Sequence, residues 1–157
     1  MNSQMIESNI TNAVKYLFDE QIVLTGITEY GISWEEMLNG EVQIPQNGAR
    51  FDITFEGNVI GDAIKGVIKG TDYLEIRTDG KFMLHIQARI VTDDGETIAV
   101  KETGISTPGD NGIARLNLNM DFYTSAGKYN WLNSKQVWAV GEVDMINGLV
   151  NMKGYSN

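Results

Sequence analysis

The stretch Phe82-Met-Leu-His-Ile-Gln-Ala-Arg-Ile-Val-Thr-Asp-Asp-Gly95 decides the fold. Its even positions, Phe82, Leu84, Ile86, Ala88 and Ile90, are apolar. Lys81, Met83, His85, Gln87 and Arg89 fall on the odd ones. A period of two over this length is the signature of a strand with one buried face. Asp94-Gly95 at its end is a pair that accepts the positive backbone angles of a tight hairpin.

Working outward, the same period appears at Phe51, Ile53 and Phe55, with Asp52, Thr54 and Glu56 between them. Turn signals follow at Gly61-Asp62, Gly70-Thr71, Asp79-Gly80, Asp94-Gly95, Asp110-Asn111-Gly112 and Asn147-Gly148. Strands are predicted near 49–60, 62–69, 72–78, 81–92, 96–104, 113–122, 135–145 and 148–155. Short loops between consecutive strands imply antiparallel neighbours, so the chain reads as mainly β, a meander of about eight strands. A twisted sheet of that size closes into a barrel or splits into a sandwich. The glycines at 57, 61, 66, 70, 104 and 141 supply the bends that closure needs, which favours the barrel.

Upstream, Ile6, Ile10, Ala13, Val14, Leu17 and Phe18 recur at helical spacing and predict an N-terminal amphipathic helix docked on the core. Ser33 followed by Glu36 forms a capping box and predicts a short helical turn. The expected organisation is therefore residues 1–48 as helix and connecting loop, and 49–157 as the barrel domain.

Composition narrows the function classes. With 12 Lys and Arg against 21 Asp and Glu, the formal charge of -9 repels phosphate backbones and anionic membranes, so nucleic acid and membrane are poor partners. The chain has no cysteine, which removes disulfides and thiolate chemistry. Glu7, Lys15 and Asp19 interrupt the first twenty residues before a signal-peptide core or membrane span is long enough, and the expected location is cytoplasmic. There is no glycine-rich phosphate loop, no Gly-x-Ser-x-Gly turn and no paired histidines at metal spacing, so no metal or cofactor is expected.

The order of features from residue 49 resembles the bacterial family known as domain of unknown function 3237. The matching pieces are Gly70, Asp72 and Tyr73; Arg77, Asp79 and Gly80; Thr92 to Gly95; and Tyr129, Trp131, Leu132 and Asn133. The resemblance implies a lipocalin-like, calycin-like β-barrel without an established activity. Where that family pattern carries Asp-x-Arg before Thr-Asp-Asp-Gly, this chain has His85 and Gln87.

Two readings of function follow. In the first, the barrel interior binds a small apolar or aromatic molecule, with Tyr73, Arg77, Gln87, Tyr129, Trp131 and Trp138 as ligand-binding candidates. The alternative is an acid–base enzyme, a cyclase, isomerase or hydratase, using His85 with Arg89 or Asp72, which requires the odd-numbered row to face inward. The bland reading leaves that row in solvent, makes Asp72 and Arg77 an ion pair, and has Tyr129 and Trp131 plug the barrel end. A third reading is a homo-oligomer or partner protein joined through its acidic surface and N-terminal helix.

Overall fold

The computed structural model describes residues 14–157, together with Ser3. Eight strands run in chain order: β1 (Lys15–Glu29), β2 (Ala49–Ile60), β3 (Lys65–Ile76), β4 (Phe82–Thr92), β5 (Thr97–Pro108), β6 (Ile113–Tyr123), β7 (Val137–Asp144) and β8 (Leu149–Ser156). Each pairs antiparallel with its neighbour in sequence, and β8 pairs back onto β1 to close the barrel. Closure removes every free edge, so each backbone ladder is satisfied within the wall.

The expected count of eight strands holds, but two of its members differ. Residues 15–29 form a strand, not the end of a helix, and the barrel begins at Lys15 instead of Ala49. Ile6, Ile10 and Ala13 lie outside the described residues. Leu17 and Phe18, assigned to the helix stripe, belong to β1, where Phe18, Glu20 and Ile22 point inward at a period of two. The run Phe18 to Leu24 is compatible with either period taken alone. Pairing with β2 and β8 selects the strand.

The second difference is at Gly70-Thr71, which makes no turn. β3 passes straight through it, merging two expected strands into one. Gly70 instead permits close approach: a Cβ there would sit 2.5 Å from the Ala88 Cβ on β4. The turns at Gly80, Gly95, Gly112 and Gly148 all use positive φ.

The interior is the apolar register of each strand. On β4, Phe82, Leu84, Ile86 and Ile90 are buried, while His85, Gln87 and Arg89 are exposed. One end of the barrel is closed by α1 (Trp34–Leu38). Ser33 caps it by accepting a hydrogen bond from the Glu36 backbone N–H, as the capping box predicts. Glu29 accepts the Trp34 backbone N–H at 2.6 Å, and the indole packs edge-on to Phe51, with ring centres 5.0 Å apart. At the other end Phe18 meets Phe122 edge-on, and the connection between β6 and β7, with its 3-10 turn Asn130–Ser134, buries Leu132. No helix among the described residues is long and apolar enough to cross a membrane.

Candidate functional site

A cavity of ≈ 80 Å³ lies in the α1 half of the barrel. Its walls are largely apolar, with Trp34, Phe82 and Met145 at the α1 end and Leu84, Ile86, Leu118 and Met152 among the rest of the lining. A surface groove between α1 and the β5–β6 turn shares Phe82 and Met145 with the cavity, so these two side chains separate interior from solvent there.

Two carboxyl groups interrupt this apolar lining. Asp72 on β3 pairs with Ile86 on β4, and Ile86 pairs with Glu102 on β5, so the two acids stand on one rung with a single strand between them. Strands are spaced about 4.8 Å apart, which puts their Cα atoms roughly 10 Å from each other. A third acid, Glu20, is the next inward residue on β1 beyond the lining Ile22. All three occupy positions at which their strands otherwise place apolar residues: Phe18 and Ile22 around Glu20, Ile68 and Leu74 around Asp72, Ile98 and Val100 before Glu102.

Burial makes these groups poor carboxylates. Asp72 is pushed up to about 6 by loss of solvent, an effect opposed by the backbone hydrogen bond from His85 and by the His85 charge. Glu20, 1% exposed, is raised by burial to about 8. Glu102, 2% exposed, is raised well above the usual range, first by burial and then by the neighbouring charges of Glu20 and Asp72. Both oxygens of Glu20 and Oε1 of Glu102 have no hydrogen-bond partner. Unpaired acids so placed stay protonated at neutral pH, because ionising them in an apolar interior costs more than holding the proton.

Of the candidate catalytic and ligand-binding residues named from the sequence, Asp72 alone lines this cavity. His85 is brought to it, but through its main chain. The β3–β4 pairing runs to Asp72–Ile86 and resumes at Glu75–Met83. In the gap the His85 backbone N–H donates to Asp72 Oδ1 at 3.0 Å. The imidazole points outward, 3.7 Å from Glu75. Arg89 and Gln87 are on the same outer face, because a strand that turns Ile86 and Ile90 inward must turn its odd residues out.

Tyr73 is also outside, beneath the Arg50 guanidinium. Arg77, just past the end of β3, is exposed and pairs with Asp79 at 2.7 Å, whereas Asp72 is turned inward. Trp138 is half-buried on the outer face of β7, beside the exposed Val140. Trp131 is partly buried and packs against the core from the β6–β7 connection.

Tyr129 is buried, and its Oη donates to Asp94 Oδ1 at 2.7 Å. Thr92 Oγ1 donates to the same oxygen, and Lys128 Nζ to the other. These three hydrogen bonds, that of Lys128 foremost, hold the Asp94 carboxyl well below its ordinary range. The Thr-Asp-Asp-Gly turn and the aromatic segment therefore form one clasp that pins the β6–β7 connection across the barrel end.

A family model matches residues 36–156. The chain belongs to the DUF3237 family, proteins of unknown function. Similar solved structures include a protein of unknown function from Clostridium acetobutylicum ATCC 824, 22% identical with a TM-score of 0.75, covering 91% of this chain and 97% of that one. A β-barrel-like protein from Acinetobacter baumannii AYE is 22% identical with a TM-score of 0.69, covering 91% and 95%. A structure described as an enzyme from Penicillium herquei is 21% identical with a TM-score of 0.64, covering 91% and 92%. At these identities the likeness establishes the barrel fold and nothing finer. No curated protein matches the chain.

Glu20 and Glu102 were missed by sequence reasoning, although a signal for them exists. Each is an acid at the apolar phase of an alternating segment, Phe18-x-Glu20-x-Ile22 and Ile98-x-Val100-x-Glu102. Reading residues 6–18 as a helix hid the first.

Proposed function

We propose that the barrel interior admits a small, mostly apolar molecule and carries out acid–base chemistry on it with Asp72 and Glu102. The observation that carries this reading is the pair of carboxyls on one rung facing an otherwise apolar cavity. Two titratable groups pushed to different pKa values supply an acid and a base in one site. Asp72, at about 6, is ionised at neutral pH and is the base; Glu102, held protonated, is the acid. The His85 N–H steadies the base by hydrogen-bonding Oδ1, which leaves Oδ2 for the substrate. Such a pair suits a cyclisation, an isomerisation or a hydration, each of which removes a proton at one atom and adds one at another. The description of the Penicillium herquei neighbour as an enzyme is consistent with this reading.

The nearly continuous apolar lining supports binding without turnover as the second reading. Native mass spectrometry of the purified protein, first gentle and then denaturing, identifies a retained molecule. Proton NMR of that molecule in deuterated water with the protein then separates the two readings. Deuterium incorporation that is lost in Asp72→Asn or Glu102→Gln supports the enzyme. Tight retention with no exchange or conversion reduces the barrel to a binding module.

A further inference from the structure

The interior contains carboxyl groups without a cationic partner. Among the described residues the buried polar side chains are Glu20, Asp72, Thr92, Glu102, Ser106, Thr124 and Ser156, with no Lys, Arg or His. Thr92 and Thr124 are spent at the end away from α1, on Asp94 and on the Thr97 carbonyl. Ser156 donates to the Asn157 carbonyl. Ser106, the one hydroxyl on the cavity, donates to the Arg115 carbonyl. What faces the space is Asp72 and Glu102, with Glu20 beyond Ile22, and three of their oxygens lack any partner.

We infer that this site selects a small apolar amine, its protonated nitrogen set against Glu102 and its hydrocarbon body against Leu84, Leu118 and Met152. The inference rests on the reading that a small molecule enters the cavity, and adds the chemistry of its polar end. An ammonium brings three donors and a positive charge to a site lined by carboxyls and no cation. An alcohol brings one donor and no charge. A carboxylate adds a fourth acid to three and is repelled. A metal ion does not fit the same role, since no three His, Cys, Asp or Glu among the described residues are grouped closely enough to hold one.

Binding proceeds with a proton balance. The amine arrives as an ammonium, one buried carboxyl ionises to meet it, and the displaced proton leaves to solvent. From β1, β3 and β5 the titratable groups facing the site are Glu20, Asp72 and Glu102. The lining residues of β2, β4, β6, β7 and β8 carry no titratable group. Amine affinity therefore rises with pH across the range in which the carboxyl would otherwise hold its proton.

The test is a methyl NMR titration of the methionine-labelled full chain with isobutylamine, isobutanol and isobutyrate, probes of nearly equal size. Isobutylamine is expected to shift the Met145 and Met152 signals and to bind about tenfold or more tightly than isobutanol, with isobutyrate inert. The preference should disappear in Glu102→Gln or Glu20→Gln, and calorimetry in buffers of different ionisation enthalpy should report a released proton. Isobutanol binding as well as the amine, binding of isobutyrate, or a preference untouched by both variants overturns the inference and leaves the cavity reading intact. Entry of none of the three probes overturns both.

Discussion

Asp72 and Glu102 face one cavity from the two strands that flank Ile86, and their environments differ. Asp72 accepts a main-chain hydrogen bond and titrates near neutrality. Glu102 has an oxygen with no partner and holds its proton. Asp72→Asn is expected to abolish any acid–base turnover while a neutral molecule still binds, and the limb of a pH–rate profile near pH 6 should vanish with it.

His85→Ala is expected to change interior binding and turnover little. Its imidazole is half-exposed on the outer face, and its link to Asp72 is a backbone N–H that alanine keeps. Its effect on stability should stay within about 0.5 kcal/mol by urea denaturation. A large loss of interior function in this variant would contradict the outward placement.

Stability should fall as pH rises from about 4.5 to about 8. Glu20 has a folded pKa near 8 against an ordinary 4.5, so in that window the native state keeps a proton that the unfolded chain has lost. More protons on the native state make the slope negative, at most about 1.4 kcal/mol per pH unit for each such group. Glu102 and Asp72 act with the same sign, Asp72 between its ordinary 3.8 and about 6. Thermal melts at stepped pH check this, and Glu20→Gln should flatten the decline.

Tyr129→Phe should lower Tm by about 3 °C, the result of losing one hydrogen bond to a charged acceptor in a chain of this size. The clasp depends on ionised Asp94, whose pKa is depressed. Its contribution is present above the ordinary carboxylate range and lost as pH falls through the depressed value. The gap between Tyr129→Phe and the parent should therefore close in strong acid.

Gly141→Ala should destabilise by about 3 kcal/mol or more, because the added Cβ would run into the Asn151 carbonyl and the Met152 Cα on β8. Gly127→Ala is the control, with nothing near its Cβ position, and should be neutral. Equal stability of the two variants by calorimetry would mean that β7 and β8 are not as close as described.

Local chemistry alone determined much of the barrel. The period of two on Phe82 to Ile90, the glycines that turn at 80, 95, 112 and 148, and the Ser33 cap were all legible, because each depends on neighbours close in sequence. The inward face of β4 was legible too, since burial of apolar surface decides it. Residues 15–29 were not, because Phe18, Leu17 and Val14 also satisfy a helical period, and the choice belongs to β2 and β8, distant partners that supply the ladder. Nor was Gly70 legible as the middle of β3: a glycine reads as a turn until a neighbouring strand needs the space of its missing side chain. The site divides the same way. Asp72 could be named from its strand, but its meeting with Glu102 and Glu20 depends on closing eight strands into one wall, which brings acids from residues 20, 72 and 102 into a shared interior that holds no buried cation to pair with them.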